Sequence, residues 1–194
     1  MSQSLLNILS VVFSICSFVF FLVGCIGYAS GERTMKNVAW ITINDNGLKV
    51  WADLAGLFMR DPSGGTGLYL FGNCADGGNQ NSDLCSTCLK DGNAAFALII
   101  IATVFAMVNV VMSGILISAP NSMMQLGNMI SAFMAGCFSL IGFGLFMGDC
   151  YIEFDHTFSQ AVHYGPGAII VLLGLLMMWV TFFFQVGAVA VGSK

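Results

Sequence analysis

The sequence predicts a tetraspan membrane protein: four transmembrane α-helices with a small disulfide-stabilised β-sheet in the first outer loop. Of its 194 residues, 57% are hydrophobic and only 8% are charged, whereas soluble domains carry about 25% charged residues. The charged residues lie outside four long apolar runs, and four of the seven cysteines lie in the connections between those runs. This composition excludes a soluble enzyme, and the net charge of −4 has the wrong sign for binding nucleic acid.

Each apolar run is long enough to cross a bilayer, because about 20 apolar residues in a helix span roughly 30 Å of hydrocarbon. None of the runs contains a charged residue, and a charge at mid-membrane would cost about 2.5–3.5 kcal/mol. We therefore expect a single domain over 1–194 with one transmembrane span in each run. The spans are 5–27, 94–117, 123–147 and 168–190.

The connections between the spans differ greatly in length. Residues 28–93 form outer loop one, 118–122 form an inner turn, and 148–167 form outer loop two. An even number of spans places both long loops on the same side of the membrane. Cysteines concentrated on that side indicate an oxidising compartment, so we expect extracellular loops at the plasma membrane, or lumenal loops at an organelle membrane. Most positive side chains also lie on that side, but the positive-inside rule is weak for long loops.

Outer loop one has the pattern of a small folded unit. Residues 38–43 are rich in β-branched and aromatic residues and end at a turn signal, and 68–71 predict a further strand. Residues 48–51 and 54–59 are compatible with a second strand or a short helix. We expect this unit to present apolar tips to a partner. The predicted interaction residues are Trp51, Leu57 and Phe58.

The four outer cysteines are expected to stabilise this unit, since so small a sheet is marginal by itself. A disulfide that closes a loop of about 15 residues contributes roughly 3 kcal/mol. Three pairings are open, and we favour Cys74–Cys85 with Cys88–Cys150, which would tie the sheet to outer loop two.

One motif in outer loop one resembles a known family signature. Residues Leu70, Phe71 and Cys74, followed by Cys85, are similar to the Leu-Trp-x-x-Cys…Cys signature of the claudin group. Trp40 resembles the tryptophan near the loop start in that group. The group comprises claudins, peripheral myelin and epithelial membrane proteins, calcium-channel γ-subunits and amastins, and its arrangement of spans and loops is also similar.

Some features depart from the group's pattern. Phe71 stands where the signature has Trp, Cys88 is an additional loop cysteine, and few residues follow the fourth span. The chain therefore resembles a divergent relative rather than a junctional claudin.

The resemblance implies a non-enzymatic integral membrane interaction protein. It would be an accessory or structural subunit of a larger membrane complex, for example a channel-associated one, or a cell-adhesion protein. The implied partners are the lipid bilayer and other membrane proteins, in a hetero-complex or a homo-oligomer, with no cofactor and no nucleic acid.

Cys85-x-x-Cys88 supports an alternative function. Four-helix membrane thiol-disulfide oxidoreductases hold such a motif at a helix end and pass electrons to a quinone, and a helix N-terminus lowers the pKa of a thiol. A zinc site formed with His156 and His163 is a weaker alternative, because the spacing of the histidines is longer than usual. We favour structural disulfides over both.

Three acidic residues of outer loop two are candidates for a weak cation site, against the simpler interpretation of a solvated loop. They are Asp149, Glu153 and Asp155.

Small residues within the spans predict close helix packing. Among the deep polar residues, Asn109 and Gln185 are expected to form hydrogen bonds across the bundle, since no ionisable residue accompanies them. The predicted packing residues are Gly24, Gly27, Ala132, Gly136, Gly144 and Gly148.

Overall fold

The computed structural model describes residues 3–26, 32–45, 47–75, 82–158 and 162–192. Its elements follow in chain order. They are α1 (Gln3–Ile26), α2 (Glu32–Val38), β1 (Ile41–Asp45), β2 (Leu48–Ala52), β3 (Gly56–Arg60), β4 (Thr66–Leu70), α3 (Phe71–Ala75), α4 (Ser82–Ser118), α5 (Ser122–Leu145), a π-helical turn (Phe146–Cys150), α6 (Tyr151–Phe158), β5 (Val162–Tyr164) and α7 (Pro166–Gly192).

Among the described residues, four helical segments are long and apolar enough to cross a membrane, and each overlaps one of the predicted spans. Two of them extend far beyond their apolar runs. Helix α4 has 37 residues and begins within the predicted outer loop one, so that Cys85 and Cys88 lie on a helix. Helix α5 continues through the π-helical turn into α6. The helical path therefore extends well into the predicted outer loop two.

The sheet has five antiparallel strands in the order β4-β3-β2-β1-β5. Strands β1 to β4 come from outer loop one, and both ambiguous stretches, 48–51 and 54–59, form strands. Gly47 and Gly64 have φ angles of 87° and 92°, which suit the turns after β1 and β3 because glycine has no Cβ to clash. The fifth strand comes from outer loop two and pairs with β1 through Ile41 and Tyr164. The two long loops thus form one sheet.

The described residues form two compact units. The first comprises Met1–Leu22, Ile99–Leu140 and Leu172–Lys194, and it is built from helices. The second comprises Val23–Leu98 and Ile141–Val171, and it contains the whole sheet.

Trp40 is a buried residue that connects several parts of the second unit. It is fully buried, and its Nε1 donates a hydrogen bond to the carbonyl oxygen of Gly24 at 3.2 Å. Its ring lies 5.9 Å from that of Phe143 and 5.3 Å from that of Phe146, between centroids. The tryptophan thus holds the start of β1 against the ends of two long helices. Its ring packs against other aromatic rings, and its indole N–H has a hydrogen-bond acceptor.

A disulfide joins Cys88 of α4 to Cys150 of the π-helical turn, as predicted, with the two Cα atoms 4.8 Å apart. Both cysteines are fully buried. Cys85 is also disulfide-bonded. The predicted Cys74–Cys85 pairing involves the side chain of Cys74, which lies outside the described residues.

The predicted packing glycines differ in their surroundings. A Cβ on Gly24 would lie 2.2 Å from Val171 Cγ2, and one on Gly136 would lie 3.2 Å from Trp179 Cε2. Gly144 and Gly148 have open space where a Cβ would be, with no described atom within 4 Å. The described chain therefore provides no packing partner for these two, and their packing role stays a prediction. Ala132 is fully buried, and Gly27 lies outside the described residues.

Candidate interaction surface

Strand β4 forms one edge of the sheet. It pairs with β3 on one side, and no described strand pairs with its other side. The central residues of β4 are well exposed: Leu68 is 46% and Tyr69 is 51% accessible. A free edge leaves backbone N–H and C=O groups without strand partners, and such groups can pair with another chain.

The two exposed side chains lie on opposite faces of the sheet. Leu68 is directly opposite Phe58, and Tyr69 is directly opposite Leu57. The ring of Tyr69 folds back over Gly67, where a Cβ would lie 2.7 Å from its Cε2. The edge therefore offers apolar surface on both faces together with its unpaired backbone.

A shallow groove of about 510 Å³ lies beside this edge, at the end of the β3–β4 hairpin. The Asp61 carboxylate accepts hydrogen bonds from the backbone N–H of Ser63 at 2.7 Å and from its hydroxyl at 2.8 Å. These bonds hold the pKa of Asp61 below its usual range, since hydrogen bonding favours the charged form. The groove thus has an ionised group at its rim. Its lining includes Leu48, Met59, Asp61, Pro62, Thr66 and Tyr69.

The interaction residues predicted from the sequence lie elsewhere. Leu57 and Phe58 are each only 7% exposed, so the prediction that they form accessible tips is wrong. They are neighbours on β3 and point to opposite faces, which means that both faces of this inner strand are covered. Trp51 is half-buried: its ring lies 6.0 Å from that of Phe58, and the ammonium of Lys36 sits 5.0 Å from its centroid.

The acidic residues of outer loop two do not converge. Asp149 and Asp155 are exposed and Glu153 is half-buried. Within the described part of the chain, no group of three or more His, Cys, Asp or Glu is arranged to hold a metal ion. The continuous helical path places Asp149 and Glu153 about one turn apart. Asp155 is not grouped with them in an arrangement that could hold a cation.

The Cys85-x-x-Cys88 motif is not an internal disulfide. Cys88 is bonded to Cys150, and Cys85, bonded separately, is buried as well. In this state neither cysteine is a thiolate. Since the thiolate is the form that attacks a disulfide or binds zinc, neither cysteine can do so.

The deep polar residues belong to a network that the sequence revealed only in part. Asn109 donates to the backbone oxygen of Asn128 at 2.8 Å, and Gln185 donates to Ser10 at 2.8 Å. The predicted hydrogen bonds across the bundle are therefore confirmed. The serine partners are not among the predicted residues, although Ser10 and Ser14 are spaced one turn apart.

Comparison with known proteins gives no family for this chain: no family model matches it, and no curated protein matches it.

Proposed function

We propose that this chain is a non-enzymatic integral membrane interaction protein, a divergent relative of the claudin group, that presents strand β4 to another membrane protein. The observation that carries the proposal is the open β4 edge, with Leu68 and Tyr69 about half exposed on its two faces. Strand addition to such an edge supplies main-chain hydrogen bonds, and pockets for alternate side chains supply specificity.

The frame behind β4 supports this function. Strand β4 is antiparallel to β3 and in register with it over five residue pairs, from Gly56 with Leu70 to Arg60 with Thr66. The Cys88–Cys150 disulfide and the buried Trp40 hold the rest of the second unit. An edge that is already ordered loses little conformational entropy on binding, so a larger part of the contact energy contributes to affinity.

The expected membrane and orientation belong to the same proposal. The four apolar helices support integration into a bilayer, and the disulfides on one side support an oxidising compartment for the sheet. We therefore place the sheet outside the plasma membrane, or in the lumen of an organelle.

The proposal is tested by site-specific photo-crosslinking in the host membrane. A benzophenone amino acid replaces Leu68 or Tyr69 in the full chain, and a matched variant carries it at Lys49, which is exposed on β2 but is not on an edge strand. We expect discrete adducts with one membrane protein from the two β4 positions and none above background from Lys49. Equal labelling at all three positions, or no adduct from β4, would contradict the proposal.

The same adducts separate the two forms of the function. An accessory or structural subunit gives the adduct in membranes from isolated cells, because the partner lies in the same bilayer. An adhesion protein gives it only when two membranes are in contact.

The alternative of a quinone-linked thiol oxidoreductase has less support. It requires Cys85 and Cys88 to cycle as a pair, whereas Cys88 is paired with Cys150 and both are fully buried. No observation favours it over the structural role of these cysteines.

A further inference from the structure

The first compact unit contains a polar network in its helical core. Its members are uncharged, and each is at most 1% exposed. The network draws on all four long helices. It consists of Ser10 and Ser14 of α1, Asn109 and Ser113 of α4, Asn128 of α5 and Gln185 of α7.

Asn109 is the centre of the network. Its Oδ1 accepts hydrogen bonds from the Ser14 hydroxyl and from Gln185 Nε2, the latter at 3.2 Å. Its Nδ2 donates to the backbone oxygen of Asn128 at 2.8 Å. These partners fix the orientation of the Asn109 amide, because a backbone oxygen can only accept.

The orientation of Gln185 follows from that of Asn109. Gln185 Nε2 donates to Ser10 Oγ at 2.8 Å and to Asn109 Oδ1. If the Gln185 amide were reversed, two carbonyl oxygens would face each other at about the same distance, with no hydrogen between them. Gln185 Oε1 must therefore point away from Asn109, and no donor among the described residues reaches it.

Asn128 presents a second amide oxygen of the same kind. Its Nδ2 donates to Ser113 Oγ at 2.8 Å, and its Oδ1 has no donor among the described residues. Gln185 Nε2 lies 3.4 Å from the same Ser113 oxygen. The two amides thus converge on one hydroxyl, and each leaves an acceptor without a hydrogen.

A buried amide oxygen without a hydrogen bond is strongly unfavourable in apolar surroundings. The group that satisfies these acceptors must be small, must donate hydrogen bonds and must need no opposite charge, because the network has no ionisable side chain. A metal cation does not fit, since no carboxylate is present to offset its desolvation. Water does fit: it carries two hydrogens, and buried waters form about three hydrogen bonds to buried polar groups.

We propose that this network is an internal water-binding site, in which water donates hydrogen bonds to Gln185 Oε1 and Asn128 Oδ1. The site is separate from the β4 edge and does not depend on the function proposed for that edge. Water here would complete the hydrogen bonding of a core that connects four helices through side-chain amides.

Water-edited solid-state NMR on the ¹⁵N-labelled full chain in lipid bilayers tests the site. We expect the side-chain amides of Gln185 and Asn128 to receive magnetisation from water as early as the exposed amide of Asn121. The backbone amide of fully buried Ala106 provides the slow reference. The proposal is overturned if the two network amides gain signal as slowly as Ala106.

A pair of variants links the signal to the site. Gln185→Met keeps the length of the side chain but removes its acceptor, so the early transfer to Asn128 should be lost or delayed. Ser17→Ala is the matched control, because Ser17 is buried and donates only to its own helix, at the backbone oxygen of Phe13. Unchanged transfer in Gln185→Met would contradict the proposal. If that variant does not fold, the comparison with Ala106 in the unaltered chain still decides.

Discussion

Asp53 is a carboxylate in the turn between β2 and β3 that is almost fully buried, with 1% of its surface exposed. Its Oδ1 accepts hydrogen bonds from the backbone N–H groups of Ala55 and Gly56 at 2.8 and 2.9 Å. Its Oδ2 has no hydrogen-bond partner among the described residues. Burial of the charge raises its pKa from 3.8 to about 6, although the two turn hydrogen bonds act in the opposite direction.

This raised pKa makes stability depend on pH with a defined sign. Between about pH 4 and pH 6 the folded chain retains a proton on Asp53 that the unfolded chain has released, so stability falls as the pH rises. A shift from 3.8 to about 6 corresponds to at most about 3 kcal/mol. We therefore expect Asp53→Asn to raise the free energy of unfolding at pH 7.5 and to have little effect at pH 4.

The measurement is unfolding by SDS in mixed micelles, followed by tryptophan fluorescence at each pH. Asp61→Asn is the matched control, since this exposed carboxylate has a lowered pKa. Its neutralisation should have a small effect of opposite sign. A loss of stability in Asp53→Asn at pH 7.5 would show that the charge stabilises the turn, and it would contradict this prediction.

At the scale of the elements, the N-terminal part of α4 lies directly against the β2–β3 turn. A Cβ on Gly92 would lie 2.1 Å from the backbone oxygen of Leu54, closer than any real contact allows. The absence of a side chain at Gly92 is thus what lets the hairpin approach the helix. Cys88, one turn earlier on the same helix, carries the disulfide to Cys150.

We expect Gly92→Ala to destabilise the second unit, because overpacking against a backbone costs about 1–3 kcal/mol. Gly114→Ala is the matched control in the same helix, where no described atom lies within 4 Å of the new Cβ. There the higher helix propensity of alanine should stabilise by about 0.5–1 kcal/mol. Thermal unfolding midpoints measured in one detergent compare the two. Equal shifts in both variants would rule out the proposed close approach.

The sequence predicts the four apolar helices because each run is uncharged and long, but it does not predict where α4 begins. Residues 82–93 are polar and include Asp91-Gly92-Asn93, which indicates a turn, yet they continue the helix. Their helical state depends on tertiary contacts such as that between Gly92 and Leu54, which hydropathy does not contain. Strand β5 is not predicted for a similar reason. It has only three residues, and its strand conformation depends on pairing with β1.

The candidate surface was harder to predict than the fold. Alternation along a strand assigns faces, but it does not say which faces another element covers. Leu57 and Phe58 look like a surface patch in the sequence, and both are buried because β3 is an inner strand covered on both faces. Leu68 and Tyr69 lie in a strand that the sequence predicts, but only the strand order shows that this strand is at an edge of the sheet.

At the scale of the whole molecule, charge and sulfur chemistry divide between the two units. Every charged residue except Lys194 falls within the second unit, as does the Cys88–Cys150 disulfide. The described residues of the first unit carry no charged side chain, which suits hydrocarbon. The disulfide in the second unit supports the proposal that the sheet lies on the non-cytosolic side of a membrane.

N-glycosylation tests that orientation on a clean background, because the natural outer loops contain no Asn-x-Ser/Thr acceptor. Gly64→Asn creates one, since Gly65 and Thr66 follow, and Gly64 lies in an exposed turn with no described atom near its side-chain position. Its positive φ is tolerated by asparagine better than by most residues. We expect the variant, expressed in a eukaryotic cell, to gain a glycan that an amidase removes, visible as a gel shift. A matched acceptor in an extension after Lys194 should stay unmodified, because an even number of spans places that end on the opposite side. Modification of the extension and not of the turn would reverse the orientation and leave the β4 edge facing the cytosol.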